Sequence, residues 1–511
     1  MKDTLNIVSL FFAEAKAHPD RLAIADVRET ITYHELASRI RARAAQFKAK
    51  GIQSGDRVLV FVPMSIGLYI DSLAIFTMGA TAVFLDEWVN LKRLDLCCRI
   101  AQCRAFIAPT KFRLPGIILS STIRQIPIKM GTRRATESNT TLEPVSIDET
   151  NETALITFTT GSTGTPKAAK RTHAFLHEQF KALLEKIDPQ DDEIDMPALP
   201  IVLMINLACG IPSIIPDWKP SKPTKMDPSR IWDQIERFQV NRLTSSPYFL
   251  ERLSAHILEE KRDTSNFRKL FTGGAPVFPT QASLFNAAFP KAAVNIIFGS
   301  TEAEPISAIN AKELITHSTT KEGLNVGLPH RTTQVRIIQW RDETISAESE
   351  ADLDRLTLPP GEVGEITVAG DHILREYYNN QEALLRNKIF IANQCWHRTG
   401  DGGYIAPDGT LRLMGRCSQF INTPEGTIYP FLIEHELSNL NGVVIGTLLE
   451  INHQLTFAIE ATPEADQQSI RESLQSMVAN AKVIFTTIPR DKRHHSKIDY
   501  GRLKQARALD S

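Results

Sequence analysis

Two nucleotide fingerprints are missing from this 511-residue chain. No Gly-x-Gly-x-x-Gly follows a predicted strand, which removes the usual dinucleotide turn. No Gly-Lys is followed by Ser or Thr, which removes the Walker A loop and its Mg²⁺-binding hydroxyl. An excess of one charge is missing too. Lys and Arg number 58 against 59 Asp and Glu, so the net charge is −1 and a general nucleic-acid binder is not expected. Cysteine is scarce: Cys97, Cys98, Cys103, Cys209, Cys395 and Cys417 show no paired zinc spacing, which predicts buried thiols in a reducing compartment. The start, Met1-Lys2-Asp3, leads into a short apolar run holding Glu14 and Lys16. That is not a signal-peptide pattern, and a cytoplasmic location is expected. One long uncharged run exists, Met196–Pro216. Pro197, Pro200, Pro212, Pro216 and Asn206 within it predict buried strands and turns, not a transmembrane segment.

What is present is more specific. In Leu155-Ile-Thr-Phe-Thr-Thr-Gly-Ser-Thr-Gly-Thr-Pro-Lys167 an apolar, β-branched run ends abruptly in hydroxyls, glycines and a lysine. This reads as a strand entering a tight turn. Gly161 and Gly164 permit backbone angles that expose a row of N–H groups, a ready anion site. Thr159, Thr160, Ser162, Thr163 and Thr165 add hydroxyls, and Lys167 adds a cation, so the loop suits a polyphosphate. A flexible Ser/Thr/Gly linker is the plainer alternative, but it would not be framed by an apolar strand and a helix. Thr172 is the expected N-cap of that helix, with Phe175, Leu176, Phe180, Leu183, Leu184 and Ile187 at helical spacing.

Strand and helix patterns alternate over most of the chain, which predicts an α/β fold. Strands are expected at Val58–Val62, Thr81–Leu85 and Ala105–Ile107, with a helix at Ile66–Met78. Residues 130–153 read as a surface connection. A second alternating stretch follows: helix Ser229–Phe238, strand Arg242–Ser245, helix Tyr248–Glu260, strand Lys269–Thr272, helix Thr280–Phe289 and strand Val294–Ile297. A smaller β region near 331–338 and 363–369 is interrupted by an acidic loop, Glu343–Asp354. From Gly415 a shorter unit begins, with a strand at Leu455–Ile459 and a helix near Asp466–Asn480.

Polar clusters fall where strands end, the place where open α/β sheets hold ligands. Gly273-Gly274-Ala275-Pro276 would lie close against a flat ring. Phe298-Gly299-Ser300-Thr301-Glu302 offers a stacking face, two hydroxyls and a carboxylate of the kind Mg²⁺ takes beside phosphates. Alternatively Ser300 or Thr301 caps a helix with Glu302 in its first turn. Gly400-Asp401 reads as a glycine turn whose carboxylate can accept from a ribose diol, with Arg416 within reach of ribose or phosphate. Near the end, Arg490 to Lys497 is strongly basic, and a solvated tail competes with a functional reading. His494 and His495, without spaced partners, read as surface rather than metal ligands.

Taken in order, these motifs resemble the adenylate-forming superfamily of acyl-CoA synthetases, luciferases and peptide-synthetase adenylation domains. Thr32-Tyr-His-Glu-Leu36, Leu73–Ala80, the phosphate loop, Phe298–Glu302, Arg398–Asp401 and Gly415-Arg416 all fall in family order, over nearly the whole chain. The resemblance implies a large domain of mixed sheets flanked by helices plus a β subdomain (1–415), and a small mobile α+β lid (416–511). It implies ATP and Mg²⁺. Thr159, Thr160, Gly161, Ser162, Thr163, Gly164 and Lys167 would embrace the β- and γ-phosphates. Gly274, Ala275 and Phe298 would frame adenine, beside Gly299 and Ser300. Thr301 would approach the α-phosphate and Glu302 would ligate the metal. Asp401 would hold the ribose with Arg416 nearby, and Lys497 would bridge carboxylate and α-phosphate.

The chain departs from the common pattern after Arg416. Ser418 stands at the hinge, Asn422 replaces a lysine, and Glu425 takes a glycine position, the glycine moving to Gly426. These departures, with Pro197–Pro216 and Arg493–Ile498, are similar to the olefin-pathway β-lactone synthetase branch. That resemblance implies a long-chain β-hydroxy acid activated as its acyl-adenylate, then closed by its own hydroxyl. The partners would be a small-molecule acyl substrate and other enzymes of the same pathway. A CoA or carrier-protein ligase and a non-catalytic nucleotide- or acyl-binding protein are the alternatives. His173, His494 and His495 are candidate bases. Ile201–Ile215 suits an acyl pocket and buried core equally well.

Overall fold

The computed structural model describes residues 5–85, 90–132, 142–160, 166–219, 221–317, 322–490 and 498–508; at 159–160 and 505–508 the backbone alone is described. Two sheets carry the larger part. A six-stranded sheet runs in the spatial order Ile128–Met130, Ala105–Ile107, Arg57–Val60, Thr81–Phe84, Thr153–Thr160, Pro166–Thr172, parallel except for the last pair. The larger sheet has fourteen strands. Its parallel part comprises Leu22–Ala25, Ser213–Ile214, Asp195–Pro197, Arg242–Ser245, Lys269–Gly273 and Ala293–Ser300. Beyond Ala293–Ser300 it continues antiparallel through Ala303–Asn310, Leu324–Pro329, Leu411–Arg416, Gln394–Ile405, Gly364–Ala369 and Gln334–Ile338. The expected α/β class holds, with mixed sheets and flanking helices.

Local rules explain why several elements begin where they do. The family motif Thr32–Leu36 is a capping box. Glu35 N–H donates to Thr32 Oγ1 at 3.2 Å, and Glu35 Oε2 accepts from Thr32 N–H at 2.8 Å, starting helix Tyr33–Ala49. Apolar side chains of this helix and of Ile66–Thr77 fill one core cluster against the six-stranded sheet. A second cluster fills the large sheet and its helices Pro228–Phe238, Pro247–Glu259 and Pro279–Ala288. Cys97 and Cys98 lie on the buried side of helix Leu91–Ala101.

Three expectations need correction. Met196–Pro216 is not strands and turns alone, because Pro200 opens a helix, Pro200–Ala208. Proline at a first helical position gives up an N–H that has no partner there, so it starts this helix instead of breaking it. At nine residues the helix is short, and no helix among the described residues is long and apolar enough to cross a membrane. The acidic loop contains helix Glu350–Leu356, which Ser349 and Asp352 cap reciprocally. Gly400-Asp401 does not sit in a turn. Both lie inside the long strand Gln394–Ile405, where Gly400 takes φ 72° and a bulge falls at Gly402/Gly403.

After Arg416 the chain forms a hairpin (Ile421–Thr423 with Gly426–Ile428), helix Pro430–Ser438, and a sheet of Val443–Ile451, Gln454–Ala461 and Lys482–Phe485. Two small cores of its own hold this unit together. Phe431 and His435 dock it on the larger part, at 5.3 and 4.5 Å from the Phe278 ring.

Candidate active site

The phosphate loop joins two strands. Thr153–Thr160 pairs antiparallel with Pro166–Thr172, so Thr159 faces Lys167 and Thr160 faces Pro166. The helix follows this return strand and begins at His173 as its expected N-cap requires, with Thr172 Oγ1 accepting from Phe175 N–H at 3.1 Å. Gly161, Ser162, Thr163, Gly164, Thr165, His494, His495 and Lys497 lie outside the described residues. Lys167 Nζ donates to Asn387 Oδ1 at 2.9 Å and stands 5.8 Å from the Tyr377 ring centre. Burial holds its pKa below the ordinary lysine value; the Glu302 charge opposes that shift, while Arg416 and Arg386 add to it.

Glu302 sits at the tip of a second hairpin. Ser300 pairs with Ala303, so Thr301 and Glu302 form the turn, and the helix-cap alternative is overturned. A Cβ on Gly299 would lie 2.8 Å from the Ala303 carbonyl oxygen, so the narrow tip requires glycine there. Glu302 is 7% exposed, and its Oε1 accepts from the Tyr377 hydroxyl at 3.1 Å. Arg171, on the return strand of the phosphate hairpin, donates to the Thr301 carbonyl at 3.1 Å. Segment Ile373–Tyr378 laces the two hairpins together. Leu374 N–H donates to Glu302 O at 2.8 Å, and Tyr378 N–H donates to Ala168 O at 2.7 Å. Among the described residues Glu302 Oε2 carries no hydrogen bond, and no group of three or more metal-ligating side chains gathers anywhere. One free carboxylate oxygen beside a phosphate loop fits Mg²⁺, which draws its remaining ligands from phosphates and water.

Two further clusters flank this pair. Gly274 (φ 82°) and Ala275 follow strand Lys269–Gly273, whose Gly273 pairs with Ile297, so both adjoin Phe298 on the neighbouring strand. A Cβ at Gly273 would meet the Ile297 carbonyl oxygen at 2.6 Å, so the strands approach closely here. Asp401 faces Arg416 across paired strands, with Arg416 Nε 3.2 Å from Asp401 Oδ1 and Nη1 donating to Thr399 O at 2.8 Å. The bend at Gly400 is held from below: Gly400 N–H donates to Glu365 Oε1 at 3.1 Å, and Glu365 Oε2 lies 2.8 Å from Arg398 Nη2. Arg398 is thus buried scaffolding inside a recognised motif.

Sequence reading missed Tyr377, Asn387, Arg171 and Lys388. Lys388 is buried and donates to the Leu374 carbonyl, 5.7 Å from the Tyr377 ring; burial pushes its pKa down to about 8. No spacing rule flags these residues, because each belongs to a segment whose role comes from a distant partner. His173 is a packed core histidine. It has no exposed surface, Nδ1 accepts from Ile7 N–H at 3.1 Å, and burial lowers its pKa to about 4. That placement removes it from the candidate bases.

Lys167, the buried Glu302 carboxylate and Arg416 of the Asp401/Arg416 pair are close enough for the charges of Glu302 and Arg416 to act on the Lys167 ammonium. The chain belongs to the AMP-binding enzyme family, which residues 11–378 match. It is an adenylate-forming enzyme, an AMP-forming ligase using ATP. Olefin β-lactone synthetase of Stenotrophomonas maltophilia (strain K279a) is 28% identical, over 99% of this chain and 98% of its own length. The protein of the same name from Xanthomonas campestris pv. campestris is 30% identical, over 85% of this chain and 82% of its own. In fold, O-succinylbenzoate coenzyme A synthetase from Bacillus subtilis in complex with AMP matches with a TM-score of 0.80 at 18% identity, over 97% and 98% of the two chains.

Proposed function

We propose that this enzyme makes a β-lactone from a long-chain β-hydroxy acid. The observation carrying this reading is the likeness to two olefin β-lactone synthetases, one of them over nearly the full length of both chains. The departures at Asn422 and Glu425 support it, since the loop that carries them helps form the thioester-stage tunnel in CoA ligases of the resembled superfamily.

In the first step a carboxylate oxygen attacks the α-phosphorus and the bond to the β-phosphate oxygen breaks, releasing pyrophosphate. Two anions meet, so cations aimed at the developing charge lower the barrier. Lys167, with the backbone of 159–165, is assigned to the β- and γ-phosphates. Thr301 is assigned to the α-phosphate and Lys497 to the bridge between carboxylate and α-phosphate. Gly274, Ala275 and Phe298 would frame adenine, with Gly299 and Ser300 shaping the hairpin beside it. Asp401 would accept from the ribose hydroxyls beside Arg416. Mg²⁺ bound to ATP would neutralise phosphate charge, with the Glu302 carboxylate as its protein ligand. In the second step the substrate's β-hydroxyl oxygen attacks the acyl carbon, the bond to AMP breaks, and the hydroxyl proton leaves. Intramolecular attack needs no thiol acceptor.

The decisive experiment is product analysis by mass spectrometry with ATP, Mg²⁺ and a β-hydroxy fatty acid. Lactone and AMP without CoA are the expected products; strict dependence on CoA and activity on a plain fatty acid would make the enzyme an acyl-CoA ligase instead.

A further inference from the structure

One stretch of the chain stands apart in both charge and exposure. Between Asn90 and Thr132, eight of nine charged residues are Lys or Arg, in a chain whose net charge is −1. Among the described residues only Arg104 of these eight has an ion-pair partner, Asp56. Helix Thr110–Leu119 lies within this stretch, and none of its residues is buried. It rests on the core through Phe112 and Ile117, Phe112 meeting Phe61 edge to face at 5.4 Å. Its other large apolar side chains face solvent: Leu114 is 53% exposed, Ile118 68% and Leu119 63%. The described residues expose twelve large hydrophobic side chains in all, so three within six positions of one helix form a patch, not scatter.

Cations border this patch at both ends. Lys111 and Leu114 are three apart and Leu114 and Ile118 four apart, so they follow one another along one side of the helix. At the far end the Arg124 guanidinium donates to the carbonyls of Ile117 at 3.3 Å and Ile118 at 2.9 Å. Lys129 Nζ donates to the Arg124 carbonyl at 3.0 Å, adding a second cation there. Lysine is depleted at protein–protein interfaces, whereas leucine and isoleucine collared by lysine and arginine mark helices that lie in a bilayer interface.

The geometry points to helix Thr110–Leu119 as a peripheral docking element for the anionic surface of a lipid bilayer. The apolar side chains would enter the headgroup boundary while the basic collar meets acidic lipid. The helix leaves the carboxyl end of strand Ala105–Ile107, which runs parallel, through Arg57–Val60 and Thr81–Phe84, to the strand that launches the phosphate loop. Docking would therefore bring the ligand-binding end of that sheet to the surface where long-chain acids partition. So short an apolar face binds weakly alone, and both contributions are needed.

Sedimentation of the full-length protein with two kinds of vesicle tests this. Phosphatidylcholine containing phosphatidylglycerol is expected to carry the protein down, phosphatidylcholine alone is not, and added salt should release it. Leu114→Ser/Ile118→Ser should weaken binding on the order of tenfold, and Lys111→Gln about fivefold. Both variants should keep wild-type pyrophosphate exchange with a soluble short-chain acid, whether or not the product is a lactone. The inference is overturned if the wild type stays in solution with anionic vesicles, or if the serine pair sediments unchanged. It is also overturned if ultracentrifugation shows the serine pair dissociating a dimer, which would assign the face to a second copy of the chain.

Discussion

Tyr377 is the residue on which the Glu302 hairpin and the Lys167 hairpin meet. Its hydroxyl donates to Glu302 Oε1, and its ring lies between 5 and 6 Å from both Lys167 and Lys388. Burial and the neighbouring carboxylate raise its pKa well above the ordinary tyrosine value, so it remains a donor at every working pH. Tyr377→Phe should leave Glu302 short of one hydrogen bond to a charged group, about 1.5–3 kcal/mol. We expect the Mg²⁺ concentration giving half-maximal pyrophosphate exchange to shift about tenfold; an unchanged titration would detach Tyr377 from the metal role proposed for Glu302. At Asp401 the expected loss is specific to ribose. Asp401→Ala should raise the KM for ATP about tenfold or more while leaving the KM for the acid near wild type. Equal effects on both substrates would contradict the assignment. Lys167, Glu302, Asp401 and Arg416 were singled out from sequence because charged groups beside glycine and hydroxyl clusters are conspicuous. Tyr377 and Arg171 were not readable, since each gains its meaning from a partner more than seventy positions away.

Elements set the geometry that these residues use. The tip Ser300–Ala303 is narrow, and one guanidinium, Arg171, ties it to the phosphate hairpin. Arg171→Met should lower kcat/KM about tenfold with little change in overall stability, and measuring both together separates positioning from folding. The Arg398–Glu365 pair is a different case. Both side chains are buried, and the guanidinium also reaches the carbonyls of Glu343, Arg386 and Arg341. Removing one partner leaves a buried charge unmatched, so Arg398→Met should cost about 3–5 kcal/mol, checked by denaturant titration. Helix positions were mostly legible, because caps and apolar spacing are local: Thr172 and the face it precedes start a helix as expected. The strand Pro166–Thr172 was not, since its short alanines acquire a pairing partner only when the loop folds back.

The described residues after Arg416 pack round two small cores of their own, and this smaller part contains a titrating group. Glu434, on helix Pro430–Ser438, accepts from Thr447 Oγ1 at 2.8 Å, and the Tyr500 hydroxyl bonds the same oxygen. Burial raises its pKa from 4.5 to about 8, with the Thr447 hydrogen bond opposing. A raised folded pKa means stability that is complete below pH 4.5 and lost as pH climbs toward 8, by about 1.4 kcal/mol per pH unit in that window. Hydrogen exchange of Val443–Ile451 and Gln454–Ala461 should accelerate between pH 5 and 8 beyond its intrinsic base catalysis, and Glu434→Gln should abolish that excess. A persisting excess in the variant would place the titration elsewhere. Gly415 marks the join. It takes φ 109°, and a Cβ there would lie 2.6 Å from Phe431 Cβ, so Gly415→Ala should disturb how the smaller unit docks.

The order of motifs along the chain, the hydroxyl-rich phosphate loop and the caps that start helices are properties of neighbours in sequence, and the sequence by itself determined them. The lacing of Ile373–Tyr378 between two hairpins, the burial of Glu302 against Tyr377 and the demotion of His173 to core packing depend on chain segments far apart in sequence. Only the tertiary structure decided these, because hydrogen-bond partners and desolvation do not exist until the sheets close around them.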